Sequence, residues 1–219
     1  MKFHIAGNPD YGEVQFELAP GESVNVESGA MSRMSHLLEL KTHLMGGILP
    51  ALARKVFGGE SFFLGRYSGP SGGELAIAPA LPGTVVQQTI DAKGLLLTAG
   101  SFLAATEGVT IKTRFAGMRS LLSREGAFLL DCRGQGDLFF NAYGAIVEHE
   151  INGELIVDTG HVVAWEPSLD YKIGGMGGLK QTLFSGEGLV MRFQGQGKLW
   201  LQTRTLGSTA GWITPYLLG

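Results

Sequence analysis

Residues 150–165 read EINGELIVDTGHVVAW. Apolar residues fill two runs, Leu155-Ile156-Val157 and Val162-Val163-Ala164-Trp165, with Asp158-Thr159-Gly160 between them. Short apolar runs bounded by glycine and small polar residues are the pattern of strands joined by tight turns. Val147 and Ile151 lead into the stretch, and Gly153 marks a further turn. The stretch therefore predicts strands broken at Gly153 and again at Thr159-Gly160.

Weaker copies lie upstream. Val86 and Ile90 precede Gly94, Leu95-Leu96-Leu97 run to Gly100, and Phe102-Leu103-Ala104 follow. Val14 and Leu18 precede Pro20-Gly21, Val24 and Val26 run to Gly29, and Met31 and Met34 follow. A second half recurs as well. ESFFL (60–64), EGAFL (125–129) and EGLVM (187–191) lead to Gly69, Gly134 and Gly195, and then to LAIA (75–78), LFF (138–140) and LWL (199–201). Self-similarity at this spacing signals a repeat architecture. It predicts a single all-β domain over 1–219, built of three β units at about 12–73, 74–134 and 135–204 with an apolar C-terminal tail, 205–219. The implied shape is a pseudo-threefold ring or prism in which an N-terminal strand lies beside a C-terminal one, since closure removes aggregation-prone edges.

Composition fits. Charged residues make up 17%, apolar residues 44%, and glycine occurs 34 times, as expected for an all-β chain with many tight turns. The net charge is −3 with no run of Lys or Arg, which excludes a clustered basic surface for nucleic acid. The single Cys132 allows no internal disulfide and follows an apolar run, so a buried structural thiol is expected. The start, MKFHIAGNPDYG, lacks the apolar core of a signal peptide. No run reaches the roughly 18 apolar residues that a spanning helix needs. A soluble, cytoplasmic protein is the expectation.

Three segments break the strand pattern. GGILPALARKVFGG (46–59) has apolar residues at helical spacing with Pro50 early, where a helix tolerates it. GMRSLL (117–122) and GGMGGLKQTLF (174–184) sit at matching places. They predict short helical inserts at one end of the molecule, where Leu52, Leu121 and Leu183 either plug the core or form an apolar contact surface. In the tail, Trp212, Ile213, Tyr216 and Leu217 are too apolar for solvent and should dock on this subunit or on a neighbour.

GGESFF (58–63), LAIAPALPG (75–83), GSFLA (100–104), VDTGHVVAW (157–165), GEGLV (186–190) and LQTR (201–204), in this order, resemble the altered-inheritance-of-mitochondria 24 family, whose bacterial members were grouped as a domain of unknown function. The resemblance spans nearly the whole chain. That family is similar in fold to the tryptophan RNA-binding attenuation protein, a short double-stranded β-helix that forms rings. The resemblance thus implies double-stranded β-helix or β-sandwich units and a homo-oligomer, a trimer before other counts, with no enzyme activity. A eukaryotic member is linked to mitochondrial inner-membrane organisation, which by analogy suggests a scaffold. The basic series through which the attenuation protein binds RNA has no counterpart here.

Chemistry-bearing patterns are weak. Asp158-Thr159-Gly160 resembles an aspartic-protease signature, but that mechanism needs two carboxylates sharing a proton, and Glu27-Ser28-Gly29 and Thr98-Ala99-Gly100 supply no second copy. Bracing of the turn is the expected role of Asp158. Of the histidines His4, His36, His43, His149 and His161, His149 and His161 could converge with Glu148, Glu150 or Glu154, but Ile151 stands where a paired strand histidine would be needed. Glu60, Glu125 and Glu187 recur in register and would brace turns sooner than bind a cation. Gly174–Gly178 lacks the ending of a phosphate loop, and Ser101 is outside a nucleophile-elbow frame. No catalytic, cofactor-binding or metal-ligating residue is assigned, and no cofactor is expected. The expected function is a non-enzymatic oligomeric scaffold or interaction protein whose apolar end loops meet a protein partner or a membrane surface. The alternative is a small-ligand or metal-binding β-barrel with a pocket at His149 or His161.

Overall fold

A computed structural model of the chain describes residues 1–44, 63–115, 128–175 and 189–217. The inserts expected at 46–59 and 117–122, most of the one at 174–184, and Glu60, Glu125 and Glu187 lie outside the described residues.

The fold is predominantly β. The first stretch holds β1 (Lys2–Ala6), β2 (Glu13–Leu18), β3 (Ser23–Glu27), β4 (Met31–Met34), β5 (Glu39–Leu44), β6 (Phe63–Ser68) and β7 (Gly73–Ile77). The second holds β8 (Val85–Ile90), β9 (Leu95–Thr98), β10 (Phe102–Thr106), β11 (Val109–Phe115), β12 (Phe128–Gly134) and β13 (Gly136–Asn141). The third holds β14 (Ile146–Asp158), β15 (Val162–Trp165), β16 (Leu169–Gly175) and β17 (Leu189–Gln202), and the chain then enters helix α1 (Leu206–Leu217).

The strands form three curled antiparallel sheets, ordered β1-β2-β7-β4, β5-β6-β3-β10-β13-β8 and β11-β12-β9-β15-β17-β14, with β16 also on β17. In the first stretch β7 lies between β2 and β4, and β6 between β3 and β5. In the second, β13 lies between β8 and β10, and β12 between β9 and β11. In the third, the last half of β17 carries the first half of β14 and β15, while its first half carries the rest of β14 and β16. Two ladders tie the stretches together, β3 to β10 and β9 to β15. Among the described residues no ladder joins the first stretch to the third. The expected pairing of an N-terminal strand with a C-terminal one is not seen, because β1 pairs with β2 instead.

Alternation explains the burial. In β2, Val14, Phe16 and Leu18 point inward while their neighbours stay outside, as a pleated strand requires. Three apolar clusters form among the described residues. One packs β2, β3 and β7 around Phe139, whose ring meets those of Phe3 and Phe16 edge-on, at 5.0 Å each. The second joins β9, β10, β12 and β13 through Leu97, Phe102, Leu130 and Phe140. The third surrounds Trp165, with Phe193 and Tyr171 edge-on at 5.6 and 5.2 Å.

At Gly153 the expected turn is a bend inside a continuous strand. Gly153 pairs directly with Gly195, and their φ angles are +123° and +128°, a backbone region that only glycine enters without strain. Two facing glycines let β14 and β17 curl together without losing their ladder. The break at Thr159-Gly160 is as expected, a short 3-10 turn between β14 and β15.

Candidate interaction surface

Helix α1 follows from one good signal and three poor ones. Thr205 caps it, its Oγ1 accepting from the Ser208 backbone N–H at 3.1 Å, the usual threonine N-cap bond. Gly207, Gly211 and Pro215 oppose it, since glycine and proline are the weakest helix formers. One side-chain hydrogen bond between described residues ties α1 to the connection between β13 and β14, the Tyr143 hydroxyl to Thr209 Oγ1 at 3.0 Å. No residue of the helix is buried. Trp212 is 69% exposed and Tyr216 74% exposed, and their rings lie one turn apart, tilted by 53° with centroids 5.8 Å apart. Leu206, Ile213 and Leu217 are exposed too, and no charged side chain lies between Leu206 and Leu217. Docking of this tail on its own subunit is therefore not what the apolar side chains do. Sequence reasoning saw the apolarity but not the helix; Thr205 with Ser208 three residues on was the available signal.

The other patterns resolve into structural roles. Asp158 Oδ1 accepts from the Gly160 N–H at 2.8 Å, the turn-bracing role expected. Gln202 organises the same corner: its amide donates to the Gly160 carbonyl at 2.7 Å and its Oε1 accepts from Tyr143 N–H at 2.9 Å. His161 Nδ1 sits 2.6 Å from the Gln202 carbonyl, whereas His149 faces solvent on β14. Beside it Lys198 Nζ meets Glu148 at 2.6 Å, and this hydrogen bond raises the lysine pKa. Among the described residues no group of three His, Cys, Asp or Glu side chains could hold a metal ion.

Cys132 is fully buried, as expected, and burial, then the neighbouring Asp131 carboxylate, push its pKa up to about 12. A thiol so protonated is no nucleophile. Arg133 is engaged elsewhere: with Arg114 it clamps the buried Asp131, at 2.8 Å from Arg133 Nε. That clamp had no signal in the chain order, because Arg114 lies across the β11–β12 ladder, facing Leu129.

The described residues line surface grooves, of which two are well formed. One, of about 540 Å³, lies on the first sheet among Lys2, His4, Glu17, Arg33 and Glu74. The other, about 450 Å³, lies between β8 and the turn before β16, among Asp91, Lys93, Glu166 and Trp200. Neither includes His149 or His161. No helix among the described residues is long and apolar enough to cross a membrane.

Comparison with known proteins places the chain. An uncharacterised protein of Streptococcus pyogenes serotype M6, M6_Spy0233, is 30% identical to it over 226 residues, covering 99% of this chain and 91% of that protein. The crystal structure of SPYM3_0169 from Streptococcus pyogenes superposes with a TM-score of 0.83 at 31% identity, covering 98% of this chain and 99% of that one. The family described as mitochondrial biogenesis AIM24 matches residues 3–204, which runs from within β1 through β17 and stops just short of α1. The chain belongs to the AIM24 family.

Proposed function

We propose that this protein is a non-enzymatic scaffold. Its β body is a pseudo-threefold repeat of one six-strand plan, β2–β7, β8–β13 and β14–β17, where the long β14 and β17 each fill two strand places. It assembles with copies of itself, a trimer being the expected count, and presents α1 to an apolar partner. The repeat reading is supported by the recurrence of the same within-stretch ladders in each unit.

Helix α1 carries the functional reading. A 12-residue helix is marginal in water even without glycine and proline inside it, and none of its side chains is buried. Such a helix is a contact surface awaiting its cover. Covering Leu217 contributes roughly 1.5–3 kcal/mol, and aromatic rings bury about 150–250 Å² each. A hydrophobic groove on a partner protein, or the interfacial zone of a bilayer, provides that cover.

Tryptophan emission tests this directly. Trp165 and Trp200 are buried and Trp212 is exposed, so iodide quenching reports on α1 almost alone. Addition of a partner or of lipid vesicles is expected to shield Trp212. The double variant Trp212→Ser with Tyr216→Ser should keep its β circular dichroism and lose co-sedimentation. Unchanged association of that variant would show that α1 is not the contact surface.

A further inference from the structure

We propose that a second copy of this chain completes the sheet that ends at β4, laying the second half of its own β14 along that open edge. The proposal rests on the self-assembly reading above and specifies which strands make the contact.

The molecule shows the required ladder twice within itself. β10 lies against β3 with Ala104 opposite Val26 and Ala105 opposite Asn25. β15 lies against β9 with Ala164 opposite Leu97 and Trp165 opposite Leu96. β4 is the counterpart of β10 and β15. Each pairs on its other side with the last strand of its own stretch, and each ladder slips at the same place, between Met31 and Arg33, between Phe102 and Ala104, and between Val162 and Ala164. The slip is thus part of the shared pairing plan and not a bulge that guards an edge. The second half of β14 is the counterpart of β3 and β9: Val26, Leu97 and Val157 each stand three residues before Gly29, Gly100 and Gly160. Among the described residues β4 pairs only with β7, and this half of β14 pairs only with β17.

Exposure at the two edges fits the missing ladder. Phe102, Ala104, Val162 and Trp165 are fully or almost fully buried, but Met31 and Met34 are each 40% exposed and Ile156 is 47% exposed. Arg33, the charge that would discourage pairing at this edge, is folded back onto its own sheet, with its Nη1 2.9 Å from both carboxylate oxygens of Glu13. Transferring the internal register puts Arg33 opposite Val157 of the partner subunit and Met34 opposite Ile156 of the partner subunit. The half-sheet β1-β2-β7-β4 then continues into β14, β17 and β16 of the next copy, as β8-β13-β10 continues into β3-β6-β5 within one chain. Each chain has one edge of each kind, so the contact is head-to-tail and repeats from copy to copy, giving a ring where the rotation closes and a filament where it does not.

Disulfide trapping tests the pairing. Met34→Cys and Ile156→Cys are made as separate variants, mixed and oxidised; Cys132 is the only native cysteine and is buried. Directly opposed antiparallel residues have Cα atoms about 4.5–5.5 Å apart, within disulfide reach. The mixture is expected to yield a linked pair of about twice the chain mass containing one of each variant, which neither variant forms alone. Met34→Cys mixed with Val147→Cys, exposed on the first half of β14, should not link. Arg33→Cys with Val157→Cys replaces the first pair should either variant fail to fold. Native mass spectrometry of the unaltered chain reads assembly separately. An oligomer that links supports the proposal. An oligomer that does not link overturns the strand assignment and leaves the scaffold reading standing. A monomer at every concentration overturns both. Linkage only inside a chain that carries both replacements overturns the second-copy contact in favour of closure within one chain.

Discussion

β15 and β4 make matching contacts on one side. Ala164 and Trp165 pair with Trp200 and Leu199, and Arg33 and Met34 pair with Ala76 and Leu75. They differ on the other side, where β15 has β9 and β4 has nothing among the described residues. Trp165 is accordingly at the centre of an apolar cluster, while Met34 is open to solvent. Trp165 is covered from both sides, by Tyr171 and Phe193 of its own stretch and by Leu96 of the neighbouring one.

The sharpest contrast is in stability. Trp165→Ala should cost about 3–5 kcal/mol, seen as a large drop in the denaturant midpoint. Met34→Ala, measured where the chain is dilute, should stay within about 0.5 kcal/mol. Equal effects would break the comparison. Next comes α1, whose Thr205→Ala variant should lose about 1 kcal/mol of helix stability. Faster amide exchange through Leu206–Thr209, with the strands unchanged, would register it.

The smallest effect belongs to Glu13. Burial works to raise its pKa, but hydrogen bonds from Gln15, Arg33 and Ser32 outweigh it and hold the carboxyl below the usual 4.5. Its stabilising contribution is complete above about pH 4.5 and is lost as pH falls through the lower folded value. Stability should change by less than about 1 kcal/mol. Acidification in this range also releases Arg33 to the β4 edge, so chain association should weaken before the strands melt. Light scattering beside circular dichroism across that range checks the order.

Much of the β body was legible because its signals are local. The alternation of Val14, Phe16 and Leu18 and the turns at Gly94 and Gly160 were readable from neighbouring residues alone. The reading of Gly153 as a turn failed because the residue that keeps the strand continuous, Gly195, is distant in sequence. Helix α1 was obscured by Gly207, Gly211 and Pro215. The Asp131 clamp and the ladders of β3 with β10 and β9 with β15 depend on residues brought together only by folding. The candidate surface was half visible: the aromatic residues of the tail stood out, and their common helix did not.

The sharing of sheets between stretches bears on how the chain is made. A ribosome delivers β3 long before β10, and β9 long before β15. The nascent chain therefore always carries one bare β edge, which the next stretch covers as it emerges. Among the described residues the second half of β14 has no such strand laid along it, and it pairs only with β17. Folding in order of synthesis consequently leaves that half of β14 with the same kind of edge that each earlier intermediate had.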